Sequence, residues 1–533
     1  MTLPSPHDFG LPERFNSWWG HQEQALERAI TSPKRVIAMV APTGFGKTPV
    51  GETLSMYWGA RTAYLVISRA LQSQIMGDFT HRFDVRGKQN YECLALADGG
   101  VEPQFARCDQ AEALCEGCKY KDKGCHYFDA VRAATLDDHV LTNYSMWFAM
   151  SRYKEGGLGE FNALICDEAH QIPNALCSAL RIELAQRAVE QFTRGPVPTS
   201  QPLDMWREWA AAHLHTLSPK LDGMQQTARN SGRAPRELKE LKGLVSALED
   251  LSRAQGDWVE DRSNLQSPTR AHAGFEPLSP APYAERLLFR GIKHVVLMSA
   301  VLRPKHLELL GLSMDEVEFL EFPSTFAIAR RPIIHVKTVQ HKSTMSHDAK
   351  LEAVRRVDQI ISGRLDRKWL IDTVSFDRSK FIREHSNYQF FMIANSPGRD
   401  GLSAEQAMEQ FKHASPPKGL IGPSFRTGYD LPGTLCETGI LYKVPFMDSR
   451  NPLTAARRAS DPLWEKLSVA VEIWQFFGRG MRNERDQFEG IILDDMFVWF
   501  YLECLQLGFV PEYIIPAVKL NQLIPKPLPK LAA

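Results

Sequence analysis

Residues 34–48 read KRVIAMVAPTGFGKT, an apolar run that passes directly into a glycine-rich loop, and the helix-compatible PVGETLSMYWG follows at once. Strand, glycine-rich loop and helix in that order place the loop at the carboxyl edge of a parallel sheet. Gly44 and Gly46 let backbone N–H groups converge on phosphate oxygens, at a helix start whose dipole favours anions. Ala41 stands where such loops usually begin with glycine, and Thr43 lies within the loop. Lys47 is expected to reach the β- and γ-phosphates and the Thr48 hydroxyl to hold Mg²⁺. ATP with Mg²⁺ is therefore the expected ligand.

Apolar runs of the same kind recur at 61–69, 139–145, 163–170, 294–300, 368–375, 418–424, 438–444 and 489–495. Most are continuously apolar, as parallel strands covered by helices on both faces should be. Helical segments such as LEAVRRVDQIISGRL (351–365) separate them. The fold class is α/β, with enough strands for two doubly wound parallel-sheet domains. Two stretches interrupt the pattern and read as insertions: 91–127 is rich in cysteine, and 174–275 has helical periodicity. At roughly 100–200 residues per domain, the 533 residues suggest three or four domains.

Lys+Arg and Asp+Glu both count 63, which argues against a chain that coats nucleic acid by bulk positive charge; a local basic groove stays open. No apolar run approaches the roughly 18 residues of a membrane span, and the N-terminus has no secretion signal. A cytoplasmic protein without a membrane partner is the expectation.

Asp167-Glu168-Ala169-His170 follows the apolar ALIC, at a strand end. Asp167 can hold Mg²⁺ and Glu168 can polarise an attacking water. Acidic residues in a first helical turn are the competing explanation, and the phosphate loop upstream weighs against it. Further on, QFFGRGMR (475–482) sets Arg479 and Arg482 three residues apart, on one face if the segment is helical. Arginines so placed can reach a γ-phosphate held by another domain.

Together these residues resemble the superfamily 2 helicases. Gln22, in GHQEQALERAI, looks like the glutamine that reads adenine, and Ser299-Ala300 like the motif coupling hydrolysis to strand movement. GPSFRTGYDLPG (422–433) resembles the motif-five segment, with Asp430 at its acidic position, and Gln475 opens the sixth motif. By the same resemblance His170 couples the ATP site to the strand site. The phrases GKQNYEC, GCHYFDAVRAA, VLTNYSMW and PLSPAPYAERLLFRGIKHVVLMSAVL are similar to the XPD/DinG family of iron–sulfur DNA helicases. That resemblance implies two RecA-like domains, an iron–sulfur insertion (91–127) and a helical arch-like insertion (174–275). The first domain would then comprise 1–90, 128–173 and 276–308, and the second 309–533. It implies a monomer that hydrolyses ATP and moves 5′→3′ on single-stranded DNA, unwinding forked or R-loop DNA. The runner-up activity is a translocase displacing protein or RNA from DNA; the alternative of another class is a non-enzymatic DNA-binding scaffold. Two departures stand out: Val301 replaces the usual threonine, and Arg426 adds charge near the expected DNA path.

Five of the nine cysteines, Cys93, Cys108, Cys115, Cys118 and Cys125, cluster in the first insertion. Spacing alone suits a Cys₄ zinc site or a [4Fe–4S] cluster. The resemblance favours the cluster, on Cys93, Cys118, Cys125 and either Cys108 or Cys115, with Cys108 preferred. Lys119, Tyr120, Lys121 and Lys123 lie between ligands and combine charge with an aromatic face suited to single-stranded DNA; a solvated loop is the competing reading. The run Arg233, Arg236, Lys239 and Lys242 reads as a salt-bridged helical face.

Overall fold

The computed structural model describes every residue except 1–2, 60, 103–105, 111–114, 116–117, 152–156, 232–236, 268–270, 343, 397–400, 427–428, 430 and 530–533. All nine apolar runs form strands. β1 (Val36–Val40), β2 (Thr62–Val66), β3 (Phe83–Asp84), β4 (His139–Asn143) and β5 (Ala163–Cys166) belong to one sheet. β6 (Ile182–Ala185), β7 (Trp258–Asp261) and β8 (His272–Pro277) form a small antiparallel sheet, after which β9 (His294–Ser299) and β10 (Val317–Glu321) return to the first. The second large sheet takes β11 (Ile333–Val339), β12 (Lys368–Asp372), β13 (Met392–Ala394), β14 (Lys418–Gly422), β15 (Thr438–Leu441), β16 (Glu489–Asp494) and β17 (Val518–Gln522). The two orders are β10-β1-β9-β5-β2-β4-β3 and β13-β14-β12-β15-β16-β11-β17, parallel throughout.

These are two doubly wound domains. In β1, β2, β5, β12 and β16 every residue is buried, which is why their interiors are apolar; β12 and β16 carry buried charges only at their ends, Lys368, Asp372, Glu489 and Asp494. The first domain runs past the expected boundary at 308, because β10 pairs with β1 from Val317 to Glu321. As a sheet-edge strand β10 is only partly buried and mixes Val, Phe and Leu with Glu, so its sequence lacks the apolar run of a central strand. The second insertion is also not purely helical. Helices Leu203–Ser231 and Leu238–Ser252 pack around Trp206, Leu217, Leu241 and Leu248, and the β6-β8-β7 sheet closes their core. Of the basic run in that insertion, Arg233 and Arg236 lie outside the described residues.

Candidate active site

The phosphate loop joins β1 to the helix Lys47–Tyr57. Gly44 and Gly46 have φ of 80° and 78°, left-handed values that only glycine adopts freely. Space demands glycine as well: a Cβ on Gly46 would lie 2.3 Å from Gln22 Nε2, and one on Gly44 2.2 Å from the Phe326 ring. Gln22 is buried, and its amide donates to the Phe45 and Gly46 carbonyls (3.0 and 3.2 Å) while accepting from Trp19 N–H (2.8 Å). Both Gln22 amide hydrogens are thus used on the loop itself.

Across the cleft, one cavity of about 640 Å³ gathers Gly44, Gly46, Lys47 and Thr48 from the loop and Asp167 and Glu168 from the end of β5. Thr43 lines it as well, as do Val301 after β9 and Gln475, Arg479 and Arg482 from the second domain. The helix Pro462–Phe477 ends at Gly478, so the two arginines stand in the following turn and do not share a helical face. Gly480 makes that turn possible: a Cβ there would lie 2.2 Å from Phe488. Asp430 lies outside the described residues.

A chain of hydrogen bonds crosses the cleft. Gln475 Nε2 donates to His170 Nε2 (2.8 Å), which leaves the imidazole hydrogen on Nδ1, 2.7 Å from Ser299 Oγ. Ser299 Oγ in turn accepts from Val301 N–H (3.1 Å) and donates to Glu168 Oε2 (3.4 Å). Glu168 has φ of 50°, which turns its carboxylate back toward His170. Burial, then the neighbouring Glu168 carboxylate, raises the pKa of Asp167, against the pull of Lys47. Burial acts on Glu168 in the same sense, but the His170 hydrogen bond, Lys47 and Arg482 outweigh it and hold the carboxyl below its ordinary range. A divalent cation on Thr48 and Asp167 would supply the positive charge that Asp167 lacks.

The family model for "Helicase C-terminal domain" matches residues 375–502, and that for "Type III restriction enzyme, res subunit" matches 17–194. The chain belongs to the superfamily 2 helicases. No curated protein matches the sequence. Among solved structures it is similar to an XPD helicase, at 15% identity and TM-score 0.59 over 91% of this chain and 98% of that one. Xpd4 of S. tokodaii is similar too, at 15% identity and TM-score 0.55 over 94% of this chain and 100% of that one. At such identities the likeness is one of fold, and the fold of this helicase is that of the XPD branch. The family implies ATP and Mg²⁺, and an enzyme that remodels nucleic acid at the expense of ATP.

In the first insertion the nine-cysteine helicase chain brings its clustered thiols together. Cys93, Cys108 and Cys125 are buried, and Cys93 and Cys108 flank the antiparallel Glu92–Arg107 bridge. Burial, with Cys125, Cys93 and Cys115 nearby, pushes the Cys108 thiol up to about 12. Cys115 in turn feels Cys118, Cys125 and Cys93. The donor set therefore suits a soft, thiolate-binding metal or cluster. The sulfurs nevertheless form no ready cage: among the described residues no three Cys, His, Asp or Glu side chains are disposed to hold a metal ion. Lys119 pairs with Asp98 (2.8 Å) and lies over the Tyr120 ring, while Lys121 lies over Phe128; Lys123 is exposed.

Sequence reasoning missed a second cavity, of about 520 Å³, between this insertion and the carboxyl ends of β2 and β4. Ser68, Arg69, Lys88, Asn90, Tyr127 and Asn143 line it without a carboxylate. Its only sequence signal is polar and basic residues directly after two apolar strands. Arg426, expected to add charge, has that charge paired within the protein by Asp372 and Glu472. Among the described residues no helix is long and apolar enough to cross a membrane.

Proposed function

We infer that this helicase is a DNA motor of the XPD/DinG type, which hydrolyses ATP in the inter-domain cleft and passes single-stranded DNA across both sheets in the 5′→3′ sense. The observation that carries the reading is the single cavity in which the phosphate loop and Asp167–Glu168 of one domain meet Arg479 and Arg482 of the other. In this reading Lys47 and the two arginines hold the triphosphate, and Glu168 orients the attacking water. Bound Mg²⁺, on Thr48 and Asp167, supplies charge neutralisation at the β- and γ-phosphates. His170, Ser299 and Gln475 report closure of the cleft to Glu168, because the Gln475–His170 link spans the two domains and continues through Ser299 within the first. Gln22 acts on the loop, whose shape it holds.

The cavity beside Arg69, Lys88 and Tyr127 combines positive charge with an aromatic face, the chemistry of a single-strand site. A [4Fe–4S] cluster on Cys93, Cys118, Cys125 and Cys108 would fold the adjoining segment, which buries too little to fold alone. Forked or R-loop DNA is the proposed substrate and monomer the proposed state.

The deciding experiment compares ATP hydrolysis by metal-replete protein without nucleic acid, with single-stranded DNA, and with single-stranded RNA. Stimulation by DNA, with unwinding of a duplex bearing a 5′ overhang, is expected. Stimulation by RNA alone would redirect the motor to RNA. Stimulation without unwinding would favour the translocase that displaces bound protein or RNA.

A further inference from the structure

Arg426 follows β14 and lies, half-buried, between two carboxylates from different elements. Its Nε and Nη2 engage both oxygens of Asp372, the last residue of β12, the Nη2 contact at 3.2 Å. Its Nη1 engages Glu472, on the helix Pro462–Phe477 that also carries Gln475. The two halves of this triad are unequal. Asp372 is fully buried and held at two points, whereas the Glu472 side chain is 36% exposed and held at one. Removing the Asp372 contact would strand a buried charge, while Glu472 can turn to water, so the Glu472 link is the one that breaks.

The Asp372 half belongs to the carboxyl edge of the second sheet, where open α/β sheets bind their ligands. Asp372 also accepts from Val374 N–H (3.1 Å), whose φ of 64° is rare for a β-branched residue, and Ser375 then caps the helix Phe376–His385. That helix lines a cavity of about 630 Å³ through Phe376, Asp377, Lys380, Arg383 and Glu384, and Phe390 and Asn395 complete it. Phe390 is 84% exposed, an aromatic face that suits a nucleobase, and Arg383 stands beside it while Lys380 pairs with Glu384 (3.8 Å). The Glu472 half lies one helical turn before Gln475, which donates to His170 of the ATP site. We propose that Arg426 is a strap joining the nucleic-acid edge of the second sheet to the helix that contacts His170, with its Glu472 contact made in one state of the motor and released in the other. It is a positioning residue, and its role rests on the nucleic-acid-stimulated activity inferred above.

Full-length protein is assayed for ATP hydrolysis with and without single-stranded DNA, as wild type, Glu472→Gln, Arg426→Lys and the double variant. Lysine keeps the charge for Asp372 and gives up the fork. Both single variants are expected to keep the basal rate and the KM for ATP, and to lose about tenfold in the ratio of stimulated to basal rate. The double variant is expected to be no worse than either single, as residues on one link require. Full stimulation in either single variant, or losses that multiply in the double, would overturn the strap. Parallel loss of basal and stimulated rates, with earlier melting, would reduce the triad to a structural ion pair and overturn it equally. A wild type unmoved by any nucleic acid would instead sink the motor reading, and the strap with it.

Discussion

Arg482 lines the same cavity as Lys47 and contributes to the low pKa of Glu168, although the two residues come from different domains. An arginine that meets the γ-phosphate only on closure acts on the transition state more than on binding. Arg482→Ala is therefore expected to lower kcat on the order of 10³-fold while a non-hydrolysable ATP analogue still binds. Unchanged turnover would remove Arg482 from the chemistry. Behind the phosphate loop, Glu52 forms a wholly buried ion pair with Arg82 and a 3.3 Å contact with His81. Burial alone would raise the Glu52 pKa, but Arg82 and His81 hold it below the ordinary carboxylate value. A depressed folded-state pKa contributes stability that is present above the unfolded value of 4.5 and is lost as pH falls through the folded one. Denaturant midpoints are expected to fall more steeply between about pH 5 and pH 3 in wild type than in Glu52→Gln. Arg82→Met, which leaves the carboxylate buried without its arginine, is expected to cost about 3–5 kcal/mol near neutral pH.

At the scale of elements, the cysteine segment and the central strands are stabilised by different means. β1 and β2 are buried along their whole length and need no ligand. Among its described residues the cysteine segment holds the short helix Leu94–Asp98, with no buried residue in it, and the isolated Glu92–Arg107 bridge. Protein prepared without air is expected to absorb near 400 nm and to carry about four irons per chain. Removing the metal should open 91–127 to protease while a nucleotide analogue still protects the phosphate loop. Cys108→Ser is expected to lose iron and Cys115→Ser to retain it; the reverse result would exchange their roles, and zinc in place of iron would sink the cluster. Edge position explains most of what the pattern of apolar runs missed in the two large sheets; β11, an internal strand, escaped it because His335 and Lys337 interrupt its apolar run. β3, β10, β13 and β17 are sheet-edge strands, short or only partly buried, so they lack the continuous apolar run that marked most of the other strands.

For the whole molecule, the cleft is closed largely by polar ties. Arg457 of the second domain reaches Glu276 at the end of β8 (3.0 Å), Lys305 reaches Asp461 (2.8 Å), and Glu321 accepts from Glu512 N–H (2.7 Å). Polar groups of this kind can exchange their partners for water when a cleft opens, which an apolar seam cannot do. Val301 adds an apolar tie: it is buried with Ala300 in the same cluster as Leu420, Trp474 and Phe477 of the second domain, so the missing threonine hydroxyl is replaced by packing. Glu276→Gln combined with Asp461→Asn is expected to raise the KM for ATP several-fold without lowering the melting temperature of either domain. An unchanged KM would show that the nucleotide alone closes the cleft.

The sequence by itself determined the central strands, the two parallel sheets and the residues at their carboxyl edges, because the interior of a buried parallel strand must be apolar and a phosphate loop must have glycine. Lys47, Thr48, Asp167 and Glu168 were legible for that reason: the first two close the glycine-rich loop after β1, and the others directly follow β5. Tertiary structure alone decided which of these groups meet. Gln475 and His170 are 305 positions apart, and Arg426 finds its carboxylates 54 and 46 positions away. Local pattern specifies what each segment becomes. Hydrogen bonds between distant side chains depend on how the two sheets and their covering helices pack, and no short stretch of sequence carries that information.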